Sequence, residues 1–203
     1  MNSLPVADAP RRMPLVPALE TLRAWRTDQI VVTAMNAARE WLKFPEHPLD
    51  LIYLPSAMGQ PTSLGLGLAL AQPAREVIVT IGDGSLLLNL GALVTIAAVR
   101  PLNLTLLMLD NGVYEVTGSQ TTAAAQIGAD FCGLARAAGF TSVAHFAELS
   151  AWQAGLAAAM KLPGPRFLRL VLEPITEHPH LPVPPPIVPR LARFQRALGV
   201  AVE

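Results

Sequence analysis

Two stretches of this chain, Val77-Ile78-Val79-Thr80-Ile81 and Leu104-Thr105-Leu106-Leu107-Met108-Leu109, are apolar or β-branched at every position. A strand with one wet face alternates in polarity, so unbroken runs of this kind belong to strands covered on both faces. Helical patterns lie between them. The sequence predicts helices over residues 18–26, 36–43, 62–71, 86–99, 130–138 and 147–160, and strands over 29–34, 51–54, 76–81, 104–109, 141–144 and 166–172. Regular alternation with buried strands predicts an α/β fold: a doubly wound parallel sheet with helices on both faces.

The 203 residues correspond to one such domain with appendages. Residues 1–17 read as a proline-rich N-terminal extension, 18–172 as the domain, and 173–203 as a proline-rich extended segment ending in a helix over 189–198. Charged residues make up 15% and hydrophobic ones 52%, too little charge to cover an ordinary monomer, so an oligomer is expected. Net charge is zero, which leaves no basic field for nucleic acid. No apolar run reaches the ~20 residues of a membrane helix, and no secretory signal opens the chain. A cytoplasmic location is expected. Cys132 is the only cysteine, which excludes a cysteine-ligated zinc or iron–sulfur site within the chain. His178-Pro179-His180 lacks a third ligand and reads as exposed loop.

Ligands of open α/β sheets sit at the carboxyl ends of the strands. The 76–81 strand runs into Gly82-Asp83-Gly84-Ser85 and then directly into a helix. Those glycines let backbone N–H groups approach an anion such as a diphosphate. Asp83 would repel that anion unless a cation lay between them, and magnesium takes hard oxygens from one or two protein groups plus phosphate. A second oxygen ligand is therefore expected at the end of the next strand. Asn111-Gly112-Val113-Tyr114 stands there, where the Asn111 amide and the Val113 carbonyl can complete the octahedron.

Gly-Asp-Gly followed, after 26 residues beyond Gly84, by Asn111 resembles the thiamine diphosphate motif of thiamine-dependent enzymes. The resemblance covers about residues 18–172 and extends to Ser56-Ala57-Met58-Gly59, Gly82 to Gly91, Leu109 to Gly112 and Thr117-Gly118-Ser119-Gln120-Thr121. These stretches are most similar to the sulfopyruvate and phosphonopyruvate decarboxylases, and the length is closest to a separate β-type subunit. It implies Asp83 and Asn111 as magnesium ligands through side chains and Val113 through its carbonyl. Gly82, Gly84, Ser85 and the backbone of Tyr114, Glu115 and Val116 would hold thiamine diphosphate. Ser56 and Met58 would grip the aminopyrimidine ring, Met58 as the apolar wedge beneath the bent cofactor. Gly118, Ser119 and Gln120 could face the substrate. Glu115-Val116 and Met35-Asn36 depart from the group's usual residues.

The same resemblance puts the glutamate that activates the pyrimidine ring on a second domain, for which this chain has no room. Glu40, Glu46 and Glu115 are poor candidates, so no catalytic residue is assigned here and a separate α-type subunit is expected. The implied activity is nonoxidative decarboxylation of a small anionic 2-oxo acid by a hetero-oligomer. Two alternatives share the cofactor residues: a subunit of an acetolactate synthase-like carboligase, and a non-catalytic cofactor-binding or regulatory subunit.

Overall fold

A computed structural model of the chain describes residues 12–175 and 186–200. The His178-Pro179-His180 stretch lies outside the described residues. The elements follow in the order α1 (Leu15–Trp25), β1 (Ile30–Ala34), α2 (Met35–Trp41), β2 (Asp50–Tyr53), α3 (Pro61–Ala71), β3 (Val77–Gly82), α4 (Asp83–Leu87), α5 (Ala92–Val99) and β4 (Leu104–Asp110). A two-stranded hairpin, β5 (Val113–Tyr114) and β6 (Gln120–Thr121), leads to α6 (Ala123–Ile127). Then come α7 (Phe131–Ala138), β7 (Ser142–Phe146), α8 (Leu149–Ala159), β8 (Arg166–Val171) and α9 (Ile187–Ala197).

The main sheet is parallel throughout, in the order β2-β1-β3-β4-β8-β7. Side chains of one strand alternate between two hydrophobic layers, as the period of two requires. Val77, Val79 and Ile81 of β3 pack with Leu93, Ile96, Phe131 and Phe194 on one face. Ile78 joins Leu19, Leu22, Trp41, Trp152 and Leu156 on the other. The expected doubly wound sheet is therefore what forms. Among the described residues no helix is long and apolar enough to cross a membrane.

Several boundaries differ from the sequence reading. The expected helix over 86–99 is two helices: α4 begins at Asp83, and a turn over residues 88–91 separates it from α5. The break falls at Asn89 and Gly91, two residues that interrupt an otherwise mainly apolar stretch whose composition carries little helical period to lose. The helix expected over 36–43 begins at Met35, with Ala34 at its N-cap, and ends at Trp41. Met13 pairs with Leu172 as an isolated bridge, so the chain joins the fold ahead of α1.

Strand order changes direction at β1. The chain passes from β1 to its neighbour β2 and then crosses to β3 on the other side of β1. A crevice opens at the carboxyl ends of two strands that diverge in this way. The register then sets Gly82, last residue of β3, opposite Leu109 of β4, which brings the Asp83 and Asn111 turns side by side.

Candidate cofactor site

A cleft of about 570 Å³ occupies this switch point. Its walls include Asn36 after β1, Met58, the run Gly82 to Ser85, Asn111, and the segment Val113 to Thr117. Thus Met58, Gly82, Asp83, Gly84, Ser85, Asn111, Val113, Tyr114, Glu115 and Val116 converge from three separate stretches of the chain. Ser56 stands just behind this wall; its hydroxyl accepts the Met35 N–H at 3.3 Å and lies 3.2 Å from Met35 Sδ. Gly118, Ser119 and Gln120 lie outside the lining, on the exposed turn of the β5–β6 hairpin, where Gly118 and Ser119 take positive φ.

Asp83 is 1% exposed, and Thr122 donates its hydroxyl to Asp83 Oδ2 at 3.0 Å. Burial, reinforced by the negative charge of Asp110, pushes the Asp83 carboxyl up to about 6. Among the described residues no Lys, Arg or His lines the cleft. Of the cations nearby, Arg169 is taken by Asp110, its Nε 2.7 Å from Oδ2, and Arg12 donates Nη1 to Asn111 O at 3.1 Å and Leu172 O at 3.2 Å. Asp83 is therefore a buried carboxylate short of a positive partner. Asn111 Oδ1 accepts the Val113 N–H at 3.0 Å, which holds the turn closed and leaves one amide lone pair.

Gly84 is required to be glycine by its neighbour. A Cβ there would lie 2.3 Å from Tyr114 Cε1, so the aromatic ring covers the backbone directly. Ser85 Oγ accepts the Gly59 N–H at 2.9 Å, and Asn89 Nδ2 donates to Gly59 O at 2.9 Å. These bonds tie the Met58 loop to α4, with Gly59 at φ +80. Glu115 is buried on the opposite side. Its Oε1 accepts the Ile175 N–H at 2.7 Å and its Oε2 accepts from Asn36 Nδ2.

This donor set suits magnesium with a diphosphate. It offers one carboxylate short of a counter-charge, one amide oxygen and adjacent carbonyls, and among the described residues no cluster of three His, Cys, Asp or Glu forms a self-sufficient metal cage. Magnesium bound through one or two protein groups takes its remaining ligands from phosphate and water. The sequence reading did not find Thr122 or the Asn36–Glu115 contact. The second joins positions 79 residues apart and leaves no local signal.

The family model described as "Thiamine pyrophosphate enzyme, C-terminal TPP binding domain" matches residues 31–170. The chain is 38% identical over 160 residues to a sulfopyruvate decarboxylase subunit beta from Methanothermobacter thermautotrophicus, a match covering 78% of this chain and 82% of that subunit. It is 37% identical over 161 residues to a phosphonopyruvate decarboxylase from Streptomyces viridochromogenes, covering 78% of this chain but 40% of that protein. A solved structure from Mycobacterium smegmatis, described as thiamin diphosphate-dependent, superposes with a TM-score of 0.67 at 22% identity, over 86% of this chain and 35% of that one. The last likeness concerns the fold alone. With the sheet, the switch-point cleft and these sequence matches in agreement, the chain belongs to the thiamine pyrophosphate enzymes, as a member of their C-terminal TPP binding domain family.

Proposed function

We propose that this chain is the diphosphate-binding, β-type subunit of a thiamine diphosphate- and magnesium-dependent 2-oxo acid decarboxylase. The observation that carries this reading is Asp83, a buried carboxylate without a cationic neighbour in the cleft lining, beside the Asn111 turn at the switch point. Asp83, the Asn111 amide oxygen and the Val113 carbonyl would hold magnesium. Backbone N–H groups from Gly84 and Ser85, together with the segment after Tyr114, would hold the diphosphate. Met58 would support the cofactor from beneath, with Ser56 at the pyrimidine end. Gly118, Ser119 and Gln120 would approach the substrate only with the hairpin turn brought toward the cleft.

Bound thiamine diphosphate supplies a nucleophilic carbon and a cationic ring that accepts the electrons released as carbon dioxide leaves. This chain's task is to bind, orient and exclude water. The three candidate glutamates for activating the pyrimidine ring are otherwise engaged: Glu40 pairs with Lys43 at 2.6 Å, Glu46 pairs with Arg193, and both Glu115 oxygens accept hydrogen bonds. That supports an activating glutamate from a separate α-type subunit, as does the subunit designation of the archaeal relatives. The 2-oxo acid would be small and anionic, with its counter-charge from the partner, since the cleft lining here holds no cation.

Co-expression with a candidate α-type subunit, followed by carbon dioxide release over a panel of 2-oxo acids, tests the proposal. Release that requires both polypeptides, magnesium and thiamine diphosphate is expected. Robust turnover by this chain alone would overturn the half-site reading, and thiamine diphosphate that fails to bind the assembled complex would overturn the cofactor reading.

A further inference from the structure

The segment that carries Met58 leaves the sheet at its edge. β2 pairs only with β1, and beyond Tyr53 the chain turns sharply, with the Leu54 N–H returned to Ile52 O at 3.0 Å. At its far end this segment is well fixed, because Gly59 bonds Ser85 and Asn89 and also receives the Thr62 hydroxyl at 3.3 Å. Its near end is held by an element from the other end of the chain. Arg190 of α9 donates Nη1 to Ile52 O and Nη2 to Leu54 O, one guanidinium fork across two carbonyls at the strand's exit. The planar fork of arginine presents its donors to two acceptors in a fixed geometry, which a freely rotating ammonium on a flexible stem does not.

α9 itself is anchored within the turn that follows that fork. Phe194, one turn beyond Arg190, is buried in the layer formed with β3 and α5, and Arg193 pairs with Glu46. The helix thus closes an otherwise open sheet edge. It does so at the residues that lead into the Met58 loop rather than along the middle of the strand.

We infer that Arg190 is a positioning residue for the pyrimidine end of the cofactor: through Ile52 O and Leu54 O it sets the path of residues 54–59 and hence the place of Met58. This rests on the reading of the cleft as a thiamine diphosphate site. The diphosphate end is built from β3, α4 and the Asn111 turn, whereas the Arg190 fork grips the exit of β2 on the pyrimidine side, so the two ends of the ligand respond differently to its loss.

The test is calorimetry on the full chain, in whatever assembly it forms in its host, with magnesium and two probes: thiamine diphosphate and inorganic pyrophosphate. Arg190→Met keeps the apolar stem and removes the fork. It is expected to weaken thiamine diphosphate on the order of tenfold, the loss of charge-assisted bonds at one end of the loop, with pyrophosphate unchanged. Arg190→Lys, which can reach one carbonyl at a time, is expected to fall between, and amide exchange over residues 52–59 should quicken in the same order. Equal effects on both probes, or none on thiamine diphosphate, would overturn the inference. If Arg190→Met fails to fold, the Lys variant carries the same comparison. Wild-type chain that binds neither probe would instead sink the diphosphate reading, and this inference with it; Asp83→Ala, which should abolish binding of both probes, marks that distinction.

Discussion

Thr122 and Asp83, 39 residues apart in sequence, meet in the interior with the threonine hydroxyl 3.0 Å from Asp83 Oδ2 and both side chains buried. The same threonine caps α6 by accepting the Ala125 N–H at 3.2 Å, and its own N–H bonds Gly112 O at 2.9 Å. One residue therefore links the Asp83 turn, the Asn111 turn and the helix behind them. Thr122→Val removes the donor to a buried carboxylate and the helix cap together. A loss of about 2 to 4 kcal/mol is expected, one charged hydrogen bond plus one cap. Chemical denaturation of the magnesium-free chain measures it, and a loss below 1 kcal/mol would mean that the contact contributes little.

Asp83 itself opposes folding when ionised. Its carboxyl titrates up to about 6, above the ordinary value near 3.8, because burial and Asp110 disfavour the charge. The unfolded chain therefore releases this proton at lower pH than the folded one. Stability from this group is fully present below about pH 3.8 and is lost as pH rises through 6. Asp83→Asn removes the charge but keeps an acceptor for Thr122. At pH 7.5 without metal the variant is expected to be the more stable, by roughly 2 to 3 kcal/mol, with the difference closing near pH 4. Magnesium-dependent binding of thiamine diphosphate should disappear in the same variant. A variant less stable than wild type at pH 7.5 would refute the claim that this carboxylate is held at a cost.

Gly84 and Tyr114 form a second pair whose fit is steric. An added Cβ meets the ring at 2.3 and 2.6 Å, distances at which the ring must swing away. Gly84→Ala is expected to cost about 1 to 3 kcal/mol, as overpacking does, and to weaken binding of magnesium pyrophosphate. Gly84→Ala combined with Tyr114→Ala relieves the clash. The double variant should then be more stable than the sum of the single losses, a coupling that a double-mutant cycle reads directly.

The sheet was legible because its central strands are buried on both faces, so Val77–Gly82 and Leu104–Asp110 stand out as continuous apolar runs. The Asp83–Asn111 pairing was legible for a related reason: chemistry at the ends of adjacent parallel strands recurs at the spacing of one helix and one strand. Long-range polar contacts were not. Asn89 falls inside the helix expected over 86–99, yet its amide holds Gly59 O from a turn between α4 and α5. Arg190, in the helix expected over 189–198, grips the carbonyls at the exit of β2. Contacts of this kind depend on where the fold brings distant residues together, and residue type and period say nothing about that.

Glu115 joins the segment after β5 to both Asn36 and Ile175, and the unsatisfied atom beside it predicts how the site tolerates change. Asn36 Oδ1 is buried without a hydrogen-bond partner, while Asn36 Nδ2 donates to Glu115 Oε2. In Glu115→Gln the new amide can keep its oxygen on the Ile175 N–H and donate its nitrogen to Asn36, provided the Asn36 amide turns over and presents Oδ1. That turn exchanges the orphaned Oδ1 for an orphaned Nδ2 and leaves the number of unsatisfied groups unchanged, so the variant is expected to lie within about 1 kcal/mol of wild type. Glu115→Ala has no such rescue; it strands the Ile175 N–H and the Asn36 amide, and a loss of about 2 to 3 kcal/mol is expected. Asn36→Ala in the Glu115→Gln background should remove the rescue and bring the stability down toward the Glu115→Ala value. Thermal melting of the four proteins decides it: a Gln variant as damaged as the Ala variant would mean that the charge of Glu115, rather than its two acceptors, holds this side of the cleft.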